Sequence, residues 1–212
     1  MPRQPASKPN TREHILHTAE QLLARKGIDA VSLNEINKAA GQKNTSALHY
    51  HFGNKAGLLQ AIVYRQYAEI EVSLQQAMDE LLSRGDYSLQ ELLVTVVTPF
   101  VDQLESERGI NYVLIVAQLL NKSADLLVKG HPQQQDKARL RAFDLFDQLG
   151  HNLPEPVKRT RLILLSSLLF HSLASYAQFA DSGEPNPLGS REAFINNLID
   201  VMAAMVMAPV SH

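Results

Sequence analysis

Cysteine is absent from this chain of 212 residues. That absence removes disulfide staples, thiol nucleophiles and any zinc site built on thiolates, and it suits a chain folding in the cytoplasm. Other signals are missing too. The opening residues, MPRQPASKPN, lack the apolar core of a secretory signal. No stretch alternates apolar and polar residues over a useful strand length, nothing repeats at a fixed period, and no tract is of low complexity. A phosphate-cradling glycine loop, a G-x-S-x-G elbow, an H-E-x-x-H pair and a dinucleotide glycine run are all lacking. An enzyme is therefore not expected, since its site would have to be assembled from distant helices. One uncharged run, residues 162–180, is about 19 residues long and approaches bilayer-spanning length. Ser166, Ser167, His171, Ser172, Ser175 and Gln178 interrupt it, so a buried helix is expected there and no membrane partner.

What is present points to a soluble helical protein, with 45% hydrophobic and 20% charged residues. The net charge of −2 speaks against a general nucleic-acid binder, but its distribution is uneven. Residues 1–60 hold eight Lys/Arg and four Asp/Glu, a balance of +4, whereas the remainder holds twelve and eighteen, a balance of −6. A small basic module on an acidic body confines phosphate contact to one end.

Helical spacing organises the whole chain. Residues 1–9, polar with three prolines, are expected to form a flexible arm. A first helix starts at Asn10 with Glu13 as its capping-box partner and places Ile15, Leu16, Ala19, Leu22 and Leu23 on one face. Gly27 stops it, and Ser32 with Glu35 caps a short second helix carrying Leu33 and Ile36. Gly41 ends that helix, and Leu48 and Phe52, four apart, mark a third. Three short helices with a glycine turn describe a helix-turn-helix over residues 10–54. A long fourth helix runs from Lys55 to about residue 82, with Gly85-Asp86 as its break. Ser88 opens the fifth, in which Pro99 predicts a kink or break near Thr98. The pattern then predicts helices near 110–127, 133–149, 156–180 and 190–208. The fold is read as all-α, with about nine helices: a three-helix head on a larger helical body, residues 55–212.

This set of residues resembles the TetR/AcrR family of bacterial transcriptional regulators. The matching positions are Ile15-Leu16, Ala19, Gly27, Ser32-Leu33, Ile36, Ala39-Ala40-Gly41, Leu48, His51-Phe52, Lys55 and Gly57-Leu58-Leu59. The resemblance implies a homodimer whose third helix enters the major groove of a palindromic double-stranded operator. It also implies a small molecule that binds the body and releases the DNA. In two respects the chain departs from the family pattern. Leu48-His49-Tyr50-His51-Phe52 stands where Leu-Tyr-x-His-Phe is usual, and the segment before it is one residue longer. Taken up inside a helix, that residue would rotate the rest of the helix by about 100°. Taken up near Gln42-Lys43-Asn44, it would leave the recognition face its aim. An alternative function is a small-molecule-binding dimer whose helix-turn-helix no longer reads DNA.

The chemistry at the head is hydrogen bonding and charge. Asn44, Thr45, Ser46 and His49 are short and polar enough to reach base edges, with Asn44 or Thr45 also able to cap the third helix. Lys43, Tyr50, His51 and Lys55 suit phosphates. His51 is equally readable as a packed structural histidine, and Ser32 as a cap first and a phosphate contact second. His49 and His51, two apart, fall on different helix faces, so no metal is expected, and no cofactor motif is present. In the body, the helices near 156–180 and 190–208 are apolar nearly all round and predict a homodimer interface. Candidate pocket residues are Phe100, Tyr112, Gln118, Phe143, Phe146, His171, Ser175, Tyr176 and Phe179, although each aromatic is more readily read as core. Their apolar bias suggests a hydrophobic effector.

Overall fold

The computed structural model describes residues 11–42, 46–122, 137–149, 153–182 and 185–210. Among them the regular elements are nine α-helices: α1 Thr11–Lys26, α2 Leu33–Ala39, α3 Ser46–Phe52, α4 Lys55–Ser83, α5 Leu89–Val101, α6 Glu107–Leu120, α7 Lys137–Leu149, α8 Glu155–Asp181 and α9 Arg191–Met207. A 3-10 turn, Asp102–Glu105, joins α5 to α6. The all-α expectation holds. The proposed cap at Asn10, the arm and the expected helical residues 123–127 and 133–136 lie outside the described residues.

Serine hydroxyls set several of the helix starts. Ser32, Ser88, Ser106 and Ser190 each accept a hydrogen bond from the amide three residues on, at 3.1, 3.2, 3.0 and 3.2 Å. Each such cap is worth about 1 kcal/mol. At Ser88 the box is reciprocal, the Glu91 carboxylate accepting the Ser88 amide at 2.9 Å. Ser106 was not anticipated, and α6 accordingly begins ahead of the expected residue 110.

Of the kink or break expected near Thr98, no break occurs. α5 continues through Pro99 to Val101 and only then tightens into the 3-10 turn. Proline forfeits one helix hydrogen bond, but here it is buried beside Val97, Phe100 and Val101. The backbone around it is also tied, Thr98 Oγ1 donating to the Val94 carbonyl at 2.7 Å and Gln103 Nε2 to the Pro99 carbonyl at 2.9 Å.

The chain forms two compact units, Met1–Arg65 and Gln66–His212. The division falls inside α4, further along than the expected boundary at residue 55. In the first unit Ile15, Leu16, Ala19 and Leu23 of α1, Ile36 of α2, Leu48 and Phe52 of α3, and Leu58 and Ile62 of α4 are all buried. Arg65 closes this unit. Its guanidinium reaches Glu13 at 2.9 Å and the buried Glu20 carboxylate, joining α1 to α4. Such pairing offsets part of the cost of burying the Glu20 carboxylate.

In the second unit α6 packs on α8, α9 packs on α5 and α8, and α7 packs on α5. Leu74, Met78 and Leu81 of α4, Leu92 of α5, and Ala138 and Ala142 of α7 form one core cluster, the two alanines giving α7 a close seat. The buried Glu71 carboxylate accepts the Ala138 amide at 2.7 Å and the Tyr67 hydroxyl at 2.9 Å. An anion at the first turn of α7 is favourable both as an amide acceptor and against the helix dipole. Arg161 of α8 donates to the Val206 carbonyl at 2.6 Å and to the Ala208 carbonyl, satisfying the end of α9. α8 is long and apolar enough to cross a bilayer by length and composition, yet its Leu169, Phe170, Leu173, Ala174 and Ala177 are buried within the unit.

Candidate nucleic-acid interface

The turn that ends α2 is pinned from within. Gly41 adopts a φ of 65°, a left-handed conformation that glycine takes at little cost. The Gln42 amide returns to the Asn37 carbonyl at 3.0 Å, and the buried Asn37 amide group donates to the Gln42 carbonyl at 3.3 Å. Lys43, Asn44 and Thr45, three of the expected DNA-facing residues, lie outside the described residues. At the entrance to α2 the Ser32 hydroxyl is engaged by the Glu35 amide, as its reading as a cap requires. The Glu35 carboxyl is held below its ordinary range, chiefly by the hydrogen bond from Lys26 at 2.7 Å and further by the Ser32 amide.

α3 is uninterrupted from Ser46 to Phe52. Leu48 and Phe52 are buried on its inner face, and the Arg12 guanidinium lies over the Phe52 ring, 5.4 Å from its centroid. Ser46, His49 and Tyr50 stand on the opposite face at i, i+3 and i+4, all exposed, with Tyr50 86% accessible. The i,i+4 burial of Leu48 and Phe52 keeps this outward stripe in register. His49 Nδ1 pairs with the Gly53 carbonyl at 2.7 Å, so its ring also closes the end of the helix. His51 is half-buried with its ring edge-on to Tyr50, at 5.1 Å between centroids.

The corner between α3 and α4 holds one residue that sequence reasoning missed, Asn54. Asn54 caps α4, its Oδ1 accepting the Gly57 amide at 2.9 Å. A Cβ on Gly57 would stand 2.2 Å from the Phe52 carbonyl oxygen, which requires glycine there. Lys55, expected on a phosphate, instead donates through Nζ to the Val31 carbonyl at 2.5 Å and to the Ile28 carbonyl. Arg12, Glu20 and Arg65 were also missed. A sequence offers no signal for a pair formed between α1 and α4, although an N-x-x-G run ahead of a helix does suggest a cap.

The nine expected pocket residues fall in several different surroundings among the described residues. Phe100 and Tyr112 pack edge-on against Phe170, at 5.5 and 6.0 Å, as core, and burial pushes the Tyr112 phenol well above its ordinary range. Phe146 packs against the Leu74 cluster, while Phe143, also of α7, and Gln118 are half-buried. Tyr176 stacks on Phe194 at 4.6 Å, and Phe179 is exposed. His171 bonds the Ser167 carbonyl at 2.8 Å and Asn121 at 3.0 Å. With Ser175 it lines a groove of about 510 Å³ between α8 and α9, together with Leu168, Phe194 and Val201. Periodicity could not separate His171, Ser175, Tyr176 and Phe179, because α8 is apolar on nearly every side.

A short three-helix head with an outward polar stripe on its third helix, joined to a helical body, defines a helix-turn-helix protein. Residues 15–62 match the family model described as bacterial regulatory proteins, tetR family. Over 113 residues the chain is 32% identical to an uncharacterised HTH-type transcriptional regulator, YxaF, of Bacillus subtilis (strain 168), an alignment covering 53% of this chain and 58% of that protein. Over 120 residues it is 29% identical to the HTH-type transcriptional repressor NemR of Escherichia coli (strain K12), covering 55% of this chain and 58% of the repressor. These alignments thus span little more than half of either relative. The crystal structure of a bacterial regulatory protein in the tetR family from Rhodococcus RHA1 shares the fold, with a TM-score of 0.57 at 13% identity, covering 96% of this chain and all of that one. Residues 15–62 thus match the DNA-binding head of the tetR family, and the chain is similar over about half its length to transcriptional regulators of that kind.

Proposed function

We propose that this protein is a dimeric repressor that binds a palindromic operator through α3 and leaves it when a small apolar effector occupies its helical body. The observation that carries the reading is the two-sidedness of α3, with Leu48 and Phe52 buried and Ser46, His49 and Tyr50 exposed opposite them. Ser46 and His49 then read base edges, and Tyr50 and His51 approach phosphates, with Lys43, Asn44 and Thr45 completing the contact. The +4 balance of residues 1–60 supplies the attraction. Similarity to the repressor NemR supports repression and a binding role, not an enzymatic one, and DNA as ligand would put the protein in the cytoplasm. The second copy docks on α8 and α9, where Leu164, Phe179, Val201 and Met207 are exposed. Covering that apolar surface favours association, and a two-fold pair presents two copies of α3 to successive major grooves.

Selection from random DNA with the purified protein tests this directly. A palindromic consensus, bound more weakly as salt rises, is the expected result. Failure to enrich any sequence at low salt overturns it in favour of a helical binding protein that does not read DNA.

A further inference from the structure

Lys55 is the first residue of α4, where the free amides make a helix end positive and a cation is electrostatically misplaced. Its side chain is half-buried, and its ammonium is committed to the Ile28 and Val31 carbonyls. Both carbonyls belong to the connection between α1 and α2, whose Ile28 and Val31 side chains are themselves buried. On the other side of Lys55, Asn54 caps α4 and Gly57 rests against the Phe52 carbonyl. The end of α3, the start of α4 and the α1–α2 connection therefore meet at one ammonium group.

We propose that Lys55 is a positioning residue of the DNA-binding head. It ties the α3–α4 corner to the α1–α2 connection and so fixes the aim of Ser46, His49 and Tyr50. It contributes to DNA affinity through that geometry and not by neutralising a phosphate. This role rests on the proposed binding of DNA by α3. Loss of a phosphate contact flattens the dependence of affinity on salt, because fewer counterions are released on binding. A misaimed α3 loses affinity while releasing the same counterions.

The test uses the full chain and the DNA fragment that the wild type enriches. Lys55→Met keeps the apolar stem and removes the ammonium. Circular dichroism fixes a temperature at which variant and wild type are both folded, and affinity is then measured from about 50 to about 200 mM salt. The expected result is a loss of about tenfold or more at every salt concentration, with the wild-type slope retained. A slope shallower by about one overturns the proposal and makes Lys55 a phosphate contact. Unchanged affinity of the folded variant also overturns it, leaving Lys55 a stabilising group only. Lys55→Arg serves if the methionine variant does not fold. Its planar fork keeps the charge but does not match two carbonyls converging on one nitrogen. Weaker binding at unchanged slope is expected there, and wild-type affinity overturns the proposal. A wild type that enriches no DNA overturns the functional reading itself, and that failure is seen before any variant is made.

Discussion

α3 and α8 each bury one face and leave the other uncovered, yet the surfaces they leave are of opposite kinds. α3 hides Leu48 and Phe52 and shows Ser46, His49 and Tyr50. α8 hides Leu169, Phe170, Leu173, Ala174 and Ala177 and still shows Leu164 and Phe179, with Leu162, Ile163, Leu165 and Leu168 only half-covered. A polar outward face is at ease in water and gains by meeting a charged, hydrogen-bonding ligand. An apolar outward face costs about 25 cal/mol for each Å² left in water, so it gains by meeting its like. The residues of an uncovered face thus indicate the chemistry of what covers it.

Substitutions on these faces sharpen or break the contrast. The largest effect belongs to an inner face. Leu48→Ala is expected to destabilise the head by about 3 kcal/mol, because a fully buried side chain leaves a cavity, and urea unfolding measures it. Next comes the outer face of α8 and its neighbour α9. Leu164→Glu combined with Val201→Glu should weaken self-association by roughly 2–3 kcal/mol, on the order of a hundredfold, with the helical signal intact. Sedimentation velocity reads this, and a variant that associates like the wild type removes the apolar face from the interface. The smallest effect lies on the outer face of α3. Tyr50→Ala should change stability by no more than about 0.5 kcal/mol while costing DNA affinity about 1 kcal/mol. If Tyr50→Ala instead unfolds the head, Tyr50 packs more than its exposure indicates and the contrast between the two faces fails.

Much of this arrangement was legible in the sequence because it is local. Leu48 and Phe52 declare themselves by their spacing, Ser32, Ser88 and Ser190 by their place ahead of helical patterns, and Gly41 and Gly85 by punctuating them. What escaped depends on partners far along the chain. Glu20 and Arg65 look like solvated charges until α1 and α4 are brought together. Lys55 looks like an outward cation until the Ile28 and Val31 carbonyls arrive beneath it. Pro99 looks like a helix break until its burial within α5 is known. The pocket residues are hard to assign for another reason. On a helix apolar nearly all round, such as α8, spacing assigns no side chain to inside or outside, and His171 and Ser175 went to the outward groove.

Gly57 gives the head an unusual kind of vulnerability. Every other amino acid carries the Cβ that the Phe52 carbonyl oxygen excludes, so the position has no conservative neighbour at all. In a saturation library scored for DNA binding, Tyr50 should fill with a graded series of weakened alleles, whereas codon 57 should be nearly blank. Random mutation can tune the contact surface of this protein by degrees, but at its corner it can only break it.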